Sequence, residues 1–341
     1  MGNTKVFIRY FLYVFLPCLV AFGVFQYLNN IFFLAKEPSA RNKKIFVEIA
    51  PKLTFSDVCK ELEKKGIIRA ARNLNLYARF KGQDDPIKPG EYVLSPSMTP
   101  KEILARLLSG KVYERQIELL EGVSVWDVGE LLEKESLLKA GDFEAALGEP
   151  GLLARAGISS ASFEGYFAPG TYSFSRPVDP KKVIWTFLEQ GERNWPPEFS
   201  QQADQTRLSR HEVLTLASII QKTTDRQDER VLVSSVLHNR LNHGMKLESE
   251  EALIYGLRDY EGGMLTEEDK QSPSQYNTFT NYGLPPGPIC NPGMESIRAA
   301  LFPEESSYLF YLRNPFGDLE FSATLAEHKA KLAKILTPPG A

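Results

Sequence analysis

Cysteine is nearly absent from this chain. There are three in 341 residues, and Cys18 lies in an apolar run, which leaves Cys59 and Cys290. Two isolated cysteines make neither a disulfide framework nor a zinc site, and they read as small buried apolar side chains. Histidine is as scarce: His211, His238, His243 and His328 fit no metal spacing. "HEVLT" starts like a zincin motif but has Thr215 where the second histidine belongs. No metal and no cofactor is expected. A basic excess is lacking too. Lys+Arg number 40 against 43 Asp+Glu, a net charge of −3, so nothing in the composition points to nucleic acid as a partner.

What is present is ordinary globular material, 43% hydrophobic and 24% charged, in a chain long enough for two domains and an anchor. The exception is "YFLYVFLPCLVAFGVFQYL", Tyr10 to Leu28, which carries no charge. As a helix it would span roughly 28 Å, about the thickness of a bilayer core. Tyr10, Tyr13 and Tyr27 suit its interfaces. No small-x-small cleavage site follows, so a retained anchor over 10–34 is expected rather than a cleaved signal. Lys5 and Arg9 precede the span while Lys36, Arg41, Lys43 and Lys44 follow it, so charge does not orient it.

Two stretches seventy positions apart share one plan. "KIFVEIAPKLTFSDVCKELEKKGII" and "RQIELLEGVSVWDVGELLEKESLL" align Glu48 with Glu118, Asp57 with Asp127, and Leu62-Glu63-Lys64 with Leu132-Glu133-Lys134. Each predicts a short strand and then a helix opened by Thr54-x-x-Asp57 or Ser124-x-x-Asp127, where hydroxyl and carboxylate serve the positive helix end. Between them, Tyr92-Val93-Leu94 reads as a strand and Thr99-Pro100-Lys101-Glu102 as a helix start, with proline at the first helical position.

From about residue 140 the pattern changes. "FEGYFAPGTYSF" (163–174) predicts a cleft wall or strand pair, and "RHEVLTLASIIQKTT" (210–224) and "VLVSSVLHNRLNHGMKL" (231–247) predict helices. "SPSQYNTFTNYGLPPGPICNPG" (272–293) holds five prolines and three glycines, which forbid regular structure. Its three aromatics, three asparagines and one glutamine supply stacking faces and amide donors, and long irregular loops in compact domains are usually functional.

On "LASIIQKTT", "VLHNRLNHGMKLESEEALIYGL", "QYNTFTNYGLPPGPICNPG" and "FEGYFAPGTY" the chain resembles the YceG-like endolytic murein transglycosylases over nearly its whole length. The resemblance implies an α+β protein: a cytoplasmic head (1–9), a transmembrane helix (10–34), a LysM-like module (42–115) and a mixed α+β lytic transglycosylase-type domain (116–337). It also implies a single-pass protein of the cell inner membrane with its bulk in the periplasm. Its partners would be peptidoglycan glycan strands, with peptidoglycan synthases alongside. Such enzymes cleave MurNAc–GlcNAc bonds within nascent strands, leave 1,6-anhydro-MurNAc ends and so limit strand elongation. One glutamic acid protonates the leaving oxygen and then takes the proton of the C6 hydroxyl that closes on C1.

That glutamate maps onto Gln221. The family motif E-K-E reads Gln221-Lys222-Thr223 here, so both carboxylates are missing. An amide keeps the shape but neither gives nor takes a proton at neutral pH. Asp225 and Asp228, at i+4 and i+7, are expected on the face of Gln221. Ala217, Ile219 and Ile220 are expected to give position 221 an apolar setting that would raise the pKa of a glutamate placed there. The resemblance marks Glu164, Ser218, Lys222, Asn239, Arg240, Glu250, Tyr276, Asn277 and Thr278 as substrate contacts. Glu164 equally suits fixing a turn, and Asn239 and Arg240 equally suit bracing the cleft from behind. Two functions remain open: a transglycosylase with a relocated acid, or a non-catalytic glycan-binding protein of the same fold. A pure membrane scaffold fits less well, because the aromatic and amide loop is intact.

Overall fold

The computed structural model describes residues 11–83, 86–257, 260 and 262–336. The expected head, residues 1–9, lies outside them, as does Tyr10. The chain is mixed α+β and divides into two compact units: residues up to Arg115 with Ser173–Val178, and Gln116–Tyr172 with Asp179 onward.

The first unit opens with a π-helical turn, Phe11–Phe15, running into helix α1, Leu16–Phe32. Pro17 stands at the start of α1. It has no N–H, and its ring crowds the carbonyl four residues earlier, so the turn before it widens. No helix among the described residues is long and apolar enough to cross a membrane. Strand β1 (Ile45–Ile49), helices α2 (Phe55–Lys64) and α3 (Ala71–Phe80), strand β2 (Gly90–Leu94) and helix α4 (Pro100–Leu108) follow. β1 and β2 are antiparallel, with Ile45 opposite Leu94 and Val47 opposite Tyr92. Val47 and Ile49 point into a core with Val58, Leu62, Leu74, Tyr92 and Leu104. The Thr54 hydroxyl accepts from Asp57 N–H, and Thr99 with Glu102 closes a full capping box ahead of Pro100.

The second unit carries most of strand β3 (Arg115–Leu119), helices α5 (Val125–Lys134), α6 (Ala140–Leu147) and α7 (Leu152–Arg155), and the first three residues of strand β4 (Gly170–Phe174), which pairs with β3. Next come α8 (Pro180–Arg193), α9 (Pro197–Thr206), α10 (Arg210–Thr223), α11 (Gln227–Asn242) and α12 (Glu250–Gly256). After an irregular stretch follow α13 (Met294–Leu301), the antiparallel pair β5 (Phe310–Arg313) and β6 (Leu319–Ser322), and α14 (Leu325–Leu336). Ser124 and Asp127 cap α5 as the sequence predicts.

Helix α10 is the centre of this unit. Val213 to Gln221 are buried without a break, as expected of a helix enclosed on all sides. Its core partners include Phe199, Val233, Leu237, Ile289 and Leu301. The helix stops at Thr223, one residue short of the predicted end, because Thr224 is extended (φ −153°, ψ 144°). Thr224 turns its hydroxyl to the buried Glu229 carboxylate instead of continuing the helix. The expectation that Asp225 and Asp228 share the face of Gln221 therefore fails. Asp225 lies in the turn, and Asp228 lies on α11 in an ion pair with Arg226 at 3.1 Å.

Candidate functional site

Gln221 is 6% exposed. Its side-chain oxygen accepts from Gly293 N–H at 3.0 Å and from the Ser296 hydroxyl at 2.8 Å. Gly293 is the N-cap of α13 and Ser296 lies in its first turn. The amide thus satisfies the start of a helix, where a carboxylate oxygen would be equally welcome. The burial expected for position 221 is present, but the setting is not purely apolar. The side chain meets two donors, which would favour the ionised form of a glutamate and oppose the upward push of burial on its pKa. The side chain of Thr223, two residues on, lies about 200° round the helix. It is buried, and its hydroxyl bonds back to Ile219 O, so the two positions of the lost carboxylates do not share a face.

Glu121 stands on the other side of Gly293. A Cβ on Gly293 would lie 2.0 Å from the Glu121 carboxyl carbon, so the carboxylate packs directly over this glycine and would have to swing away from any larger residue. Arg230, itself buried, lies 3.8 Å from Glu121. Glu121 also lines a cleft of about 110 Å³ with Tyr166, Phe167, Arg210, Pro292 and Met294, and is the one carboxylate among its lining residues. Such a volume is well below the roughly 300 Å³ where ligand pockets begin. Any ligand larger than a small group would lie across this surface rather than inside it.

The segment from Glu121 to Trp126 is laced to the proline-rich loop. Gly122 N–H donates to Asn291 O at 2.8 Å, and Asn291 returns its backbone N–H and side-chain amide to Val123 O, each at 2.9 Å. The Asn291 side-chain oxygen accepts from Phe167 N–H at 3.0 Å. One buried asparagine therefore joins three segments, all of whose buried polar groups need partners. Lys222 is exposed and reaches Gly122 O at 3.4 Å. His211 Nε2 bonds Pro286 O at 2.8 Å and Nδ1 bonds the Tyr166 hydroxyl at 2.9 Å. A carbonyl only accepts, so the proton is on Nε2 and Tyr166 donates to Nδ1.

Glu164 is 2% exposed and accepts from Val125 N–H at 3.1 Å and from the Tyr255 hydroxyl at 3.1 Å. Burial pushes its pKa up to about 7, against the pull of those two donors and with a push from Asp127. It fixes the start of α5 through a backbone N–H, a structural role like the turn-fixing one raised by the sequence but at a different segment.

The remaining expected contacts divide clearly. Ser218 is fully buried, donating to Thr215 O and accepting from Ile289 N–H. Asn239 holds Ser306 O and Tyr308 O, and Arg240 holds Leu309 O, Lys246 O, Leu247 O and the Glu248 carboxylate. Asn277 is buried and donates to Lys270 O and Ser272 O. Thr278 accepts from Ser249 N–H at 2.8 Å. These five side chains build the scaffold. Lys222, Tyr276 and Glu250 keep accessible surface, Glu250 in the exposed first turn of α12. Sequence reasoning missed Glu121, Asn291, Ser296, Tyr255 and Trp126. Only the position of Glu121, in the linker ahead of a capping box, could have hinted at a role.

The model of the YceG-like family matches residues 47–334. A Bacillus subtilis protein named endolytic murein transglycosylase is 27% identical over 92% of this chain and 90% of its own. Its Streptococcus pneumoniae (D39) namesake is 26% identical over 98% of this chain, which spans 66% of that protein. A crystal structure of a yceG-like protein from Listeria monocytogenes superposes with a TM-score of 0.59 at 30% identity, covering 85% of this chain and 99% of that one.

Proposed function

The chain belongs to the YceG-like family, and from that membership we propose that it engages peptidoglycan glycan strands in the pose of a lytic transglycosylase. In this reading Gln221 holds the site together without carrying a proton, so cleavage at MurNAc–GlcNAc bonds is slow. The carrying observation is the pair of bonds from Gly293 N–H and Ser296 to the Gln221 oxygen. They keep an amide where the family's proton carrier belongs, and loss of general acid–base catalysis costs roughly 10²–10⁴-fold per role. The test is incubation of the full-length protein with uncross-linked glycan strands, scoring co-sedimentation and 1,6-anhydro-MurNAc ends separately. Strands that neither bind nor shorten would refute the proposal.

A second reading has one observation in its favour. Glu121 presents a carboxylate to the cleft beside Gly293, so it is a better candidate for a relocated proton carrier than Asp225. Efficient release of anhydro ends by the unmodified protein, abolished by Glu121→Gln, would establish it.

The same proposal assigns residues 11–32, whose Leu19, Phe22 and Phe25 are exposed, to the inner membrane, with the bulk of the chain in the periplasm beside peptidoglycan synthases. It also treats residues 42–115 as a LysM-like module, since β1, α2, α3 and β2 follow one another with the strands antiparallel. Protease added to spheroplasts should digest the chain beyond residue 40; full protection until lysis would reverse the topology.

A further inference from the structure

Trp126 is 55% exposed at the start of α5, yet it is not loose. Its side chain lies beside the Tyr255 hydroxyl, and that hydroxyl donates to the buried Glu164. Glu164 in turn accepts from the N–H of Val125, the residue before Trp126. The Tyr255 ring lies 4.8 Å from that of Tyr276, tilted by 57°. A buried carboxyl, two tyrosines and the first turn of α5 therefore fix one exposed indole. An indole has a single polar atom; with its N–H on the Tyr255 side, the face left to solvent is apolar.

We propose that Trp126, backed by Tyr255 and Tyr276, is a stacking subsite for one pyranose ring of a glycan strand. The inference rests on the peptidoglycan reading above and adds a subsite to it. The C–H face of a sugar is apolar while its rim is polar, and a fixed aromatic face matches the first without requiring partners for the second. Position supports the assignment. Glu121 lies at the cleft, Gly122 lies against Gln221 and Lys222, and Trp126 ends the same segment. Five residues of extended chain span at most about 17 Å, so the subsite and the Gln221 position can serve neighbouring sugars of one strand. Because the cleft is too small for a sugar pair, affinity must come from open surface, of which this ring is an exposed aromatic part.

The test uses the full-length chain in detergent with peptide-free peptidoglycan glycan strands as the probe. Trp126→Ala should lower affinity about tenfold, the order expected for one aromatic contact with its desolvation, while Trp126→Phe, which keeps a ring, should retain most of it. In a Trp185→Phe/Trp195→Phe background, strands should shift the emission of the remaining Trp126. Binding by the wild type that is equal in Trp126→Ala, with no emission shift, overturns the subsite and leaves the peptidoglycan reading standing. No binding by the wild type overturns both.

Discussion

Replacing Gln221 by glutamate should restore a proton carrier without disturbing the fold. The new carboxyl has almost the volume of the amide, and one oxygen inherits the bonds from Gly293 N–H and Ser296. Two opposing effects then set its pKa. Those donors and the start of α13 favour the anion, the helix end by about 0.3–1 kcal/mol. Burial and the Glu121 carboxylate across Gly293 favour the neutral acid. A carboxyl kept neutral at working pH can donate and then accept, and recovering even one such role is worth about 10²–10⁴-fold, or roughly 3–5 kcal/mol of barrier. Anhydro-muropeptide release by Gln221→Glu, followed by mass spectrometry across a pH series, should exceed the wild type at least a hundredfold (~10²). Its activity should fall as pH rises through the pKa of the new group. Adding Glu121→Gln removes the like charge, so that limb should move to lower pH. A Gln221→Glu protein that binds strands yet releases no more than the wild type refutes the reasoning.

Other outcomes follow from the same contacts. Glu164 should make stability depend on pH: with its folded pKa raised to about 7 from 4.5, its contribution is full below pH 4.5 and is lost as pH rises through 7, about 3 kcal/mol in all. Denaturant titrations at pH 4.5 and 7.5 should show this loss in the wild type and not in Glu164→Gln. Ser218→Ala strands the buried Ile289 N–H and should cost about 1–3 kcal/mol of stability, with equal denaturation midpoints counting against that role. Asn277→Ala should weaken strand binding by loosening the loop, seen as faster amide exchange over 272–281; lost binding with unchanged exchange would make Asn277 a direct contact instead. Cys59 and Cys290 are buried, with thiols pushed up to about 12 by burial, so neither should react with a thiol reagent at pH 8 until the chain unfolds.

Much of the framework is local and was therefore legible in the sequence. The Thr54, Thr99 and Ser124 caps need only the three residues that follow each of them, and they form as the spacing predicts. The irregularity of 272–293 is written in its prolines. The end of α10 was not legible, because Thr224 leaves the helix for Glu229 on the next one. Nor was the setting of Gln221 legible: its neighbours in sequence are apolar, but the side chain looks across to Gly293 and Ser296, more than seventy positions away. The resemblance marks Asn277 and Arg240 as sugar contacts, with bracing the cleft as an equal alternative for Arg240. The same groups also satisfy buried carbonyls, and here that is what they do.

If this site holds a strand but lacks its proton carrier, end-group counting on the unmodified protein will show both at once. Full-length wild type and Gln221→Glu are incubated side by side with uncross-linked glycan strands, and 1,6-anhydro-MurNAc ends per strand are counted in the bound fraction. The account predicts bound strands of unchanged length for the wild type and new anhydro ends for Gln221→Glu. Anhydro ends that accumulate equally fast with both proteins would contradict it.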